Sequence, residues 1–413
     1  MEKEDFIRNR KLTFSIIIVM ILRGHKMSLQ STVNKVFDSL GRIWEIVSGS
    51  AYSQARKKLK AEVFVELNEV AIEGYYEEYG KDATVKLWKG YRLLGVDGTY
   101  INLPDTKETR KEFSIQSNQH RERVQALGSV LYDLRNDIAL NAEIGKIQAE
   151  KNFIFEKHLE KTRAKDIIIL DRAYADYAVM VVVLSQKRDF LIRFPSRTFK
   201  KVEEFWQSDK TDEIISLQVT DKAKHLVKTE NLETEIKVRF IKVILENGEI
   251  EVLGTSLLDK TQYREEEFKQ VYSWRWCQET YYGRIKNIFE IERFSGQSVL
   301  SIKQDFYGVI FLSTLESILS KPVQEKLSIT KEVNNCTNPI TVNRSQSYVS
   351  LIDNVIELLV DPNFSSSQTL AKLEFLFSTN PTRHRPERKF PRNKARNFAD
   401  KLFFLKYVKR TCA

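Results

Sequence analysis

The stretch Asp166–Arg172, read DIIILDR, decides how the rest of the chain is read. Its four consecutive apolar residues, three of them β-branched, are the pattern of a strand buried on both faces. The run ends on an acid, Asp171. Downstream, Ala173 to Lys187 reads as a helix and Asp189 to Phe194 as the next strand, so strands alternate with helices in an α/β arrangement. Upstream, Leu94, Val96, Thr99, Ile101 and Leu103 lie around Asp97-Gly98, predicting a strand that leads into a turn or hairpin. Ala126 to Ile144 gives two short strands with Asn136-Asp137 as the turn, and residues 147 to 162 read as an amphipathic helix. Beyond Phe194, residues 195 to 258 are rich in Val, Ile, Thr and charge, with a hairpin signal at Asn247-Gly248. They read as a β-rich insertion.

The flanks are helical. In residues 1 to 88 apolar positions recur at three- and four-residue spacing, as in Leu29, Val33, Val36, Phe37, Leu40, Ile43 and Val47. SAYSQARKKL, Ser50 to Leu59, opens a further helix with Ser50 or Ser53 as its cap. A long helix runs from about Arg264 to Asn287 and another from about Ser301 to Leu319. Residues 320 to 350 are polar and read as a linker, followed by a short helix near 351 to 360. The domain reading is a helical 1–88, a core begun by 89–194, the insertion 195–258, the core completed by 259–320, and a linker, short helix and basic tail over 321–413.

Charge separates the tail from the body. The 413 residues carry 66 Lys and Arg against 56 Asp and Glu, a net +10. From Asn380 onward the chain has eleven basic residues against only Glu387 and Asp400, so nearly all the excess lies there. A basic tail on a near-neutral body points to a polyanion partner, most often nucleic acid. The longest apolar run, Phe14 to Leu22, is too short to span a bilayer, which needs about 20 residues. It lacks a small-residue cleavage site, and Cys277, Cys336 and Cys412 have neither disulfide nor metal spacing, so a cytoplasmic protein with no membrane association is expected. His25, His120, His158, His225 and His384 make no zinc pattern, and no Walker-type loop appears.

Three acids stand out by position. Asp97 and Asp171 follow apolar strands, and Glu279 lies inside the long helix. Sites in α/β sheets gather at strand ends, and three carboxylates meeting there offer hard oxygen ligands to Mg²⁺ or Mn²⁺. Two such ions can activate a water or a 3′-hydroxyl and stabilise the leaving oxygen of a phosphodiester. Any one of these acids is equally a cap or turn residue. On the long helix, Tyr272, Arg275, Glu279 and Lys286 fall within a fan of roughly 60° at about 100° per residue. An acid, two bases and a phenol on one stripe suit a metal ion and DNA phosphates together; the plainer reading is a solvated face with Arg275 and Glu279 paired at i, i+4.

The spacing Tyr-x2-Arg-x3-Glu-x6-Lys resembles the helix signature of DDE transposases of bacterial insertion sequences, the cut-and-paste group that forms a DNA hairpin. VDGTYINLPDT around Asp97 resembles the first acid motif of that family, ILDRAY around Asp171 the second, and the segment from Tyr263 to Gly296 the third. SAYSQARKKL also resembles a segment common in these proteins. The resemblance covers roughly residues 20 to 320 and departs at Ala173, where many relatives carry Gly. It implies a ribonuclease-H-like core with a β-rich insertion between Asp171 and Glu279, and a DNA-binding role for the N-terminal helices. Asp97, Asp171 and Glu279 would hold two Mg²⁺ (or Mn²⁺) ions. Tyr272, Arg275 and Lys286 would grip phosphates near the cleaved end, and Arg193 resembles a further DNA-contacting base. Trp206 would stack on a flipped base, or simply pack against the sheet. Partners implied are double-stranded DNA (terminal inverted repeats and target) and a second copy of the chain. A metal-dependent nuclease, or a transposase-derived regulator that binds DNA without turnover, are the alternatives.

Overall fold

The computed structural model describes residues 10–24, 28–80, 84–117, 122–149, 153–245, 248–333, 340–360 and 366–383. Most of the basic tail, from residue 384, thus lies outside the described residues. The chain divides into two units. One draws on Tyr76–Thr99 and Leu127–Tyr282, the other on Met1–Tyr75, Tyr100–Ala126 and Gly283–Ala413.

The first unit is built on a mixed sheet. Its strands are β1 (Arg92–Asn102), β3 (Glu122–Asp133), β4 (Ile138–Gly145), β5 (Asp166–Leu170), β6 (Asp189–Phe194), β7 (Asp212–Gln218), β8 (Glu235–Ile244) and β9 (Ile250–Thr255). They lie in the order β4-β3-β1-β5-β6-β9-β8-β7, and β2 (Ser114–Ser117) pairs with the start of β3. The segment DIIIL of β5 is wholly buried, as its composition dictates. β5 runs parallel to β1 on one side and to β6 on the other. β3 is antiparallel to β1, since Leu134 N–H bonds the Leu93 carbonyl at one end and Leu103 N–H the Val124 carbonyl at the other. At the base of β1 and β5, buried Arg92 makes a two-pronged bond to buried Asp166 at 2.6 and 2.7 Å. Such a pair is costly to break from one side only.

Residues 195–258 carry strands β7 to β9, and β9 pairs antiparallel with β6, so this stretch extends the central sheet. It also holds helices Lys200–Gln207 and Lys224–Thr229. β8 and β9 form the predicted hairpin, with Gly248 at φ 82; Asn247 itself lies outside the described residues.

Several local expectations are corrected. Asp97-Gly98 is no turn: β1 runs through it unbroken, and the Gly98 N–H is held by Asp97 Oδ1 at 2.8 Å. The expected helix over 147–162 is replaced by short helical turns at Ile147–Ala149, Ile154–His158 and Leu159–Lys161, with residues 150–152 outside the described residues. The helix after Asp171 begins only at Tyr177, capped by Asp176, because Asp171 first caps its own turn at Arg172–Tyr174. The segment from Arg264 to Asn287 is two helices, Glu265–Ser273 and Trp276–Asn287. Ser48 caps the helix Gly49–Arg56, its Oγ accepting from Ala51 N–H.

The second unit is helical around one apolar core. The helix Phe14–Leu22 lies at its centre, with Ile16 to Leu22 all buried. Among the described residues no helix is long and apolar enough to cross a membrane. The expected linker at 320–350 is mostly helix: Val299–Val333 continues through Pro322, and Arg344–Leu359 follows. Its polar composition misled because one side faces water while Val323, Val342 and Tyr348 are buried in the core. Arg56, from SAYSQARKKL, is buried and bonds Gln304, Ser295, Asp305 and the Ser301 carbonyl. That segment is thereby tied to the start of the Val299–Val333 helix.

His158 gives a test of the sheet unit. It is buried between Ser129 Oγ (2.9 Å from Nε2) and Asn141 Nδ2 (3.1 Å from Nδ1). Burial drives its pKa from 6.5 down to about 3. Between those values the unfolded chain binds a proton that the folded one refuses, so stability falls as pH drops below about 6.5. Urea melts at pH 7.5 and pH 5 should show wild type losing more stability than His158→Gln over that interval. Equal losses would remove His158 from the acid response.

Candidate active site

Strand pairing brings the first two acids together. The β1–β5 register runs from Arg92↔Asp166 to Gly95↔Ile169. Two residues past the last pair stand Asp97 on β1 and Asp171 just beyond β5. Neighbouring strands lie about 4.8 Å apart, so a parallel pair in this register sets the two side chains on adjacent strands at one level. Asp171 keeps one carboxylate oxygen on Ala173 N–H at 2.8 Å, which fixes its rotamer.

Glu279 is in the first turn of Trp276–Asn287. This helix sits directly on the sheet. Gln278 is buried, and its Nε2 donates to the Val130 carbonyl of β3 at 2.8 Å. Its Oε1 lies over Gly95, where any side chain would clash with it and a Cβ would stand 2.9 Å from Leu134 Cδ2. The absence of a side chain at 95 is what lets the helix approach β1. Further along, the Tyr282 hydroxyl donates to the Asp97 carbonyl.

The break before this helix is tight. Arg275, Cys277 and Gln278 bond back three residues, to Tyr272, Trp274 and Arg275 carbonyls. The turn therefore keeps winding in the helical sense, which is why Arg275 still reaches Glu279 despite the interruption. Arg275 Nη2 is 2.7 Å from Glu279 Oε1, and Nη1 is 3.9 Å from Asp97 Oδ2. The i, i+4 pairing is present, yet Arg275 is only 7% exposed, so this is no solvated stripe. Burial works against its charge, but Glu279, Tyr272 and Asp97 outweigh it and raise its pKa.

Tyr272 is 6% exposed and its hydroxyl has no hydrogen-bond partner among the described residues. Burial pushes its pKa up to about 12, with the charges of Arg275, Arg193 and Asp171 also felt there. Arg193, on β6, pairs with Glu251 of β9 at 2.6 Å, and its Nε is buried without an acceptor. The Arg275 Nε is in the same condition. Sequence reasoning missed Glu251, Gln278, Tyr282 and Gly95, which carry no motif of their own; only strand pairing and packing reveal them.

Lys286 lies two turns along the Glu279 helix and donates to the Tyr100 carbonyl at 2.7 Å. Trp206 is on helix Lys200–Gln207, which meets β8 through Phe205 and Phe240. Among the described residues no three His, Cys, Asp or Glu form a metal-holding group. The donor set nevertheless suits a hard divalent cation: three carboxylates, two at adjacent strand positions and the third facing the same guanidinium as Asp97.

The family model for the transposase DDE domain matches residues 88–315, more than half of the chain. The chain belongs to the DDE transposases, enzymes of DNA cleavage and strand transfer that work with divalent metal ions. It is 23% identical over 318 residues to the transposase InsG for insertion sequence element IS4 of Escherichia coli (strain K12), covering 75% of this chain and 70% of that one. Among solved structures, a piggyBac transposase synaptic complex with hairpin DNA matches at a TM-score of 0.41 and 11% identity, over 88% of this chain and 75% of that chain. A Mos1 transposase paired-end complex with left transposon end matches at 0.17 and 13%, over 41% and 58%.

Proposed function

We propose that the chain binds the terminal inverted repeats of its insertion sequence, cuts the element out through a DNA hairpin and joins it to target DNA. The observation that carries the DNA-contacting part is the set of three buried donors without acceptors, the Tyr272 hydroxyl and the Nε atoms of Arg193 and Arg275. A buried donor left unmade costs roughly 1–3 kcal/mol, and phosphate oxygens are the acceptors that charged donors favour most. Tyr272 feels the charges of both arginines and of Asp171, so a phosphate held at this tyrosine would lie by the acids. Asp97, Asp171 and Glu279 are the residues that would hold the Mg²⁺ or Mn²⁺ ions, two in number, which supply activation of a water or 3′-hydroxyl and charge compensation at the leaving oxygen.

The chain's own residues do the rest. Asp171 is oriented by Ala173 N–H, and the Asp97 backbone by Tyr282, so both carboxylates are set before DNA arrives. Arg193 and Tyr272 fix phosphates beside them, and Lys286 would add a cation further along the helix. The order β4-β3-β1-β5-β6, with β1, β5 and β6 parallel and β3 and β4 antiparallel, supports a ribonuclease-H-like core. The N-terminal helices and the basic tail would supply sequence-specific and non-specific DNA contacts, with two copies of the chain on paired ends and the reaction taking place in the cytoplasm.

The test is incubation with element-end DNA and Mg²⁺ or Mn²⁺, resolving nicked, hairpin and joined products. Cleavage without joining would favour a nuclease, and binding without cleavage a regulator. For the donors, Tyr272→Phe and Arg193→Ala should weaken hairpin formation more than first-strand nicking, about tenfold for each 1.4 kcal/mol of lost stabilisation. Loss in equal measure at every step would point to a folding defect.

A further inference from the structure

The charge between the first and third acids is already occupied. Arg275 bonds Glu279 at 2.7 Å with one amino group and faces Asp97 at 3.9 Å with the other. Its guanidinium also lies 5.3 Å from the Trp276 ring centroid and 5.9 Å from that of Tyr272. The aromatic faces and the two carboxylates hold one cation in one place, while its Nε is buried with no acceptor. That arrangement is complete in charge and incomplete in hydrogen bonding.

A divalent cation and a guanidinium compete for the same carboxylate lone pairs. A cation bound by Asp97 and Glu279 would also lie within a few ångströms of Nη1 and Nη2, where like charges in a partly buried site repel strongly. A DNA phosphate brought up to the buried Nε offers Arg275 an alternative partner that accepts from Nε and an amino group together. We propose that Arg275 is an exchange residue: without DNA it stands as counter-cation to Asp97 and Glu279, and a phosphate of the bound DNA end draws it off and frees both carboxylates for the metal. This rests on the metal-binding reading of the acids and extends it, since metal uptake becomes linked to the arrival of a DNA end. Linkage is reciprocal, so metal must in turn tighten binding of the end.

The experiment is Mn²⁺ binding to the full chain, followed by electron paramagnetic resonance, with and without a short duplex carrying the element end. Wild type should bind Mn²⁺ weakly alone and about tenfold or more tightly with DNA, a coupling in the usual range for linked sites. Arg275→Gln should bind Mn²⁺ about tenfold more tightly than wild type without DNA and show little further gain when DNA is added. Arg275→Lys, which keeps the charge, should stay near wild type without DNA. It serves as the readout should the glutamine variant fail to fold, since strong DNA-free Mn²⁺ binding by the lysine variant would also overturn the exchange. Asp97→Asn separates the two layers. If it leaves Mn²⁺ binding unchanged, the acids are not the metal site. If it abolishes binding while Arg275→Gln binds no better than wild type, the acids stand and the exchange is wrong.

Discussion

Asp97→Ala, Asp171→Ala and Glu279→Ala are each expected to abolish DNA cleavage while leaving DNA affinity largely intact. On the proposed reading, loss of any one carboxylate removes one of three metal ligands, and a drop of 10³-fold or more corresponds to about 4 kcal/mol of transition-state stabilisation. Affinity rests on other groups, because phosphate binding comes chiefly from Lys and Arg and their released counterions. Arg193 and the basic tail are untouched by these changes. Glu279→Ala has one added consequence: it leaves the buried Arg275 facing only Asp97 at 3.9 Å. That variant should therefore bind DNA slightly better than the other two. Parallel nicking and gel-shift measurements decide the matter, and near-wild-type nicking by any one variant would remove that acid from the site.

Gly95→Ala is expected to disturb the packing of the Glu279 helix on β1. The new Cβ would stand 2.9 Å from Leu134 Cδ2 and clash with Gln278 Oε1. Gln278 cannot simply swing away, since it is buried and tied to the Val130 carbonyl. The Glu279 helix must then lift from β1. Overpacking of this kind costs about 1–3 kcal/mol, or a melting temperature lower by roughly 2–4 °C per kcal/mol in a unit of this size. Activity should fall further than stability, because the shift separates Glu279 from Asp97. Calorimetry with a nicking assay tests both, and Gly95→Ala combined with Gln278→Ala should recover stability relative to the sum of the single changes. Strict additivity would mean that the two residues do not meet as the packing indicates.

Much of this was open to reading in the chain alone. DIIILDR could only be a buried strand ending on Asp171, since an all-apolar, β-branched run has no polar face to show to water. The strand Asp189–Phe194 and the Asn136-Asp137 turn follow from local pattern in the same way. The spacing of Tyr272, Arg275, Glu279 and Lys286 was legible as a shared helical stripe, even though a turn at 274–275 divides the helix, because that turn winds in the same sense. Local patterning failed where long-range packing overrode it. Asp97-Gly98 has the composition of a turn, yet β1 stays extended through it, held by bonds to β3 on either side at Leu93 and Leu103. Residues 320–333 look like a linker, yet burial of Val323 in the helical core holds them in the Val299–Val333 helix.

What the sequence by itself determined is therefore the buried strand that ends on Asp171, the strand Asp189–Phe194 after it and the turn at Asn136-Asp137, because periodicity and residue type act over a few neighbours. What only the tertiary structure decided is how the three acids meet. Asp97 and Asp171 become neighbours through a β1–β5 register fixed by Arg92 and Asp166 at its base. The Glu279 helix closes on β1 because position 95 has no side chain. The Arg275–Glu279 pair is local, but Arg275 meets Asp97 across 178 positions and Arg193 meets Glu251 across 58. No local pattern encodes such distances, since they arise from which faces of strand and helix bury against one another.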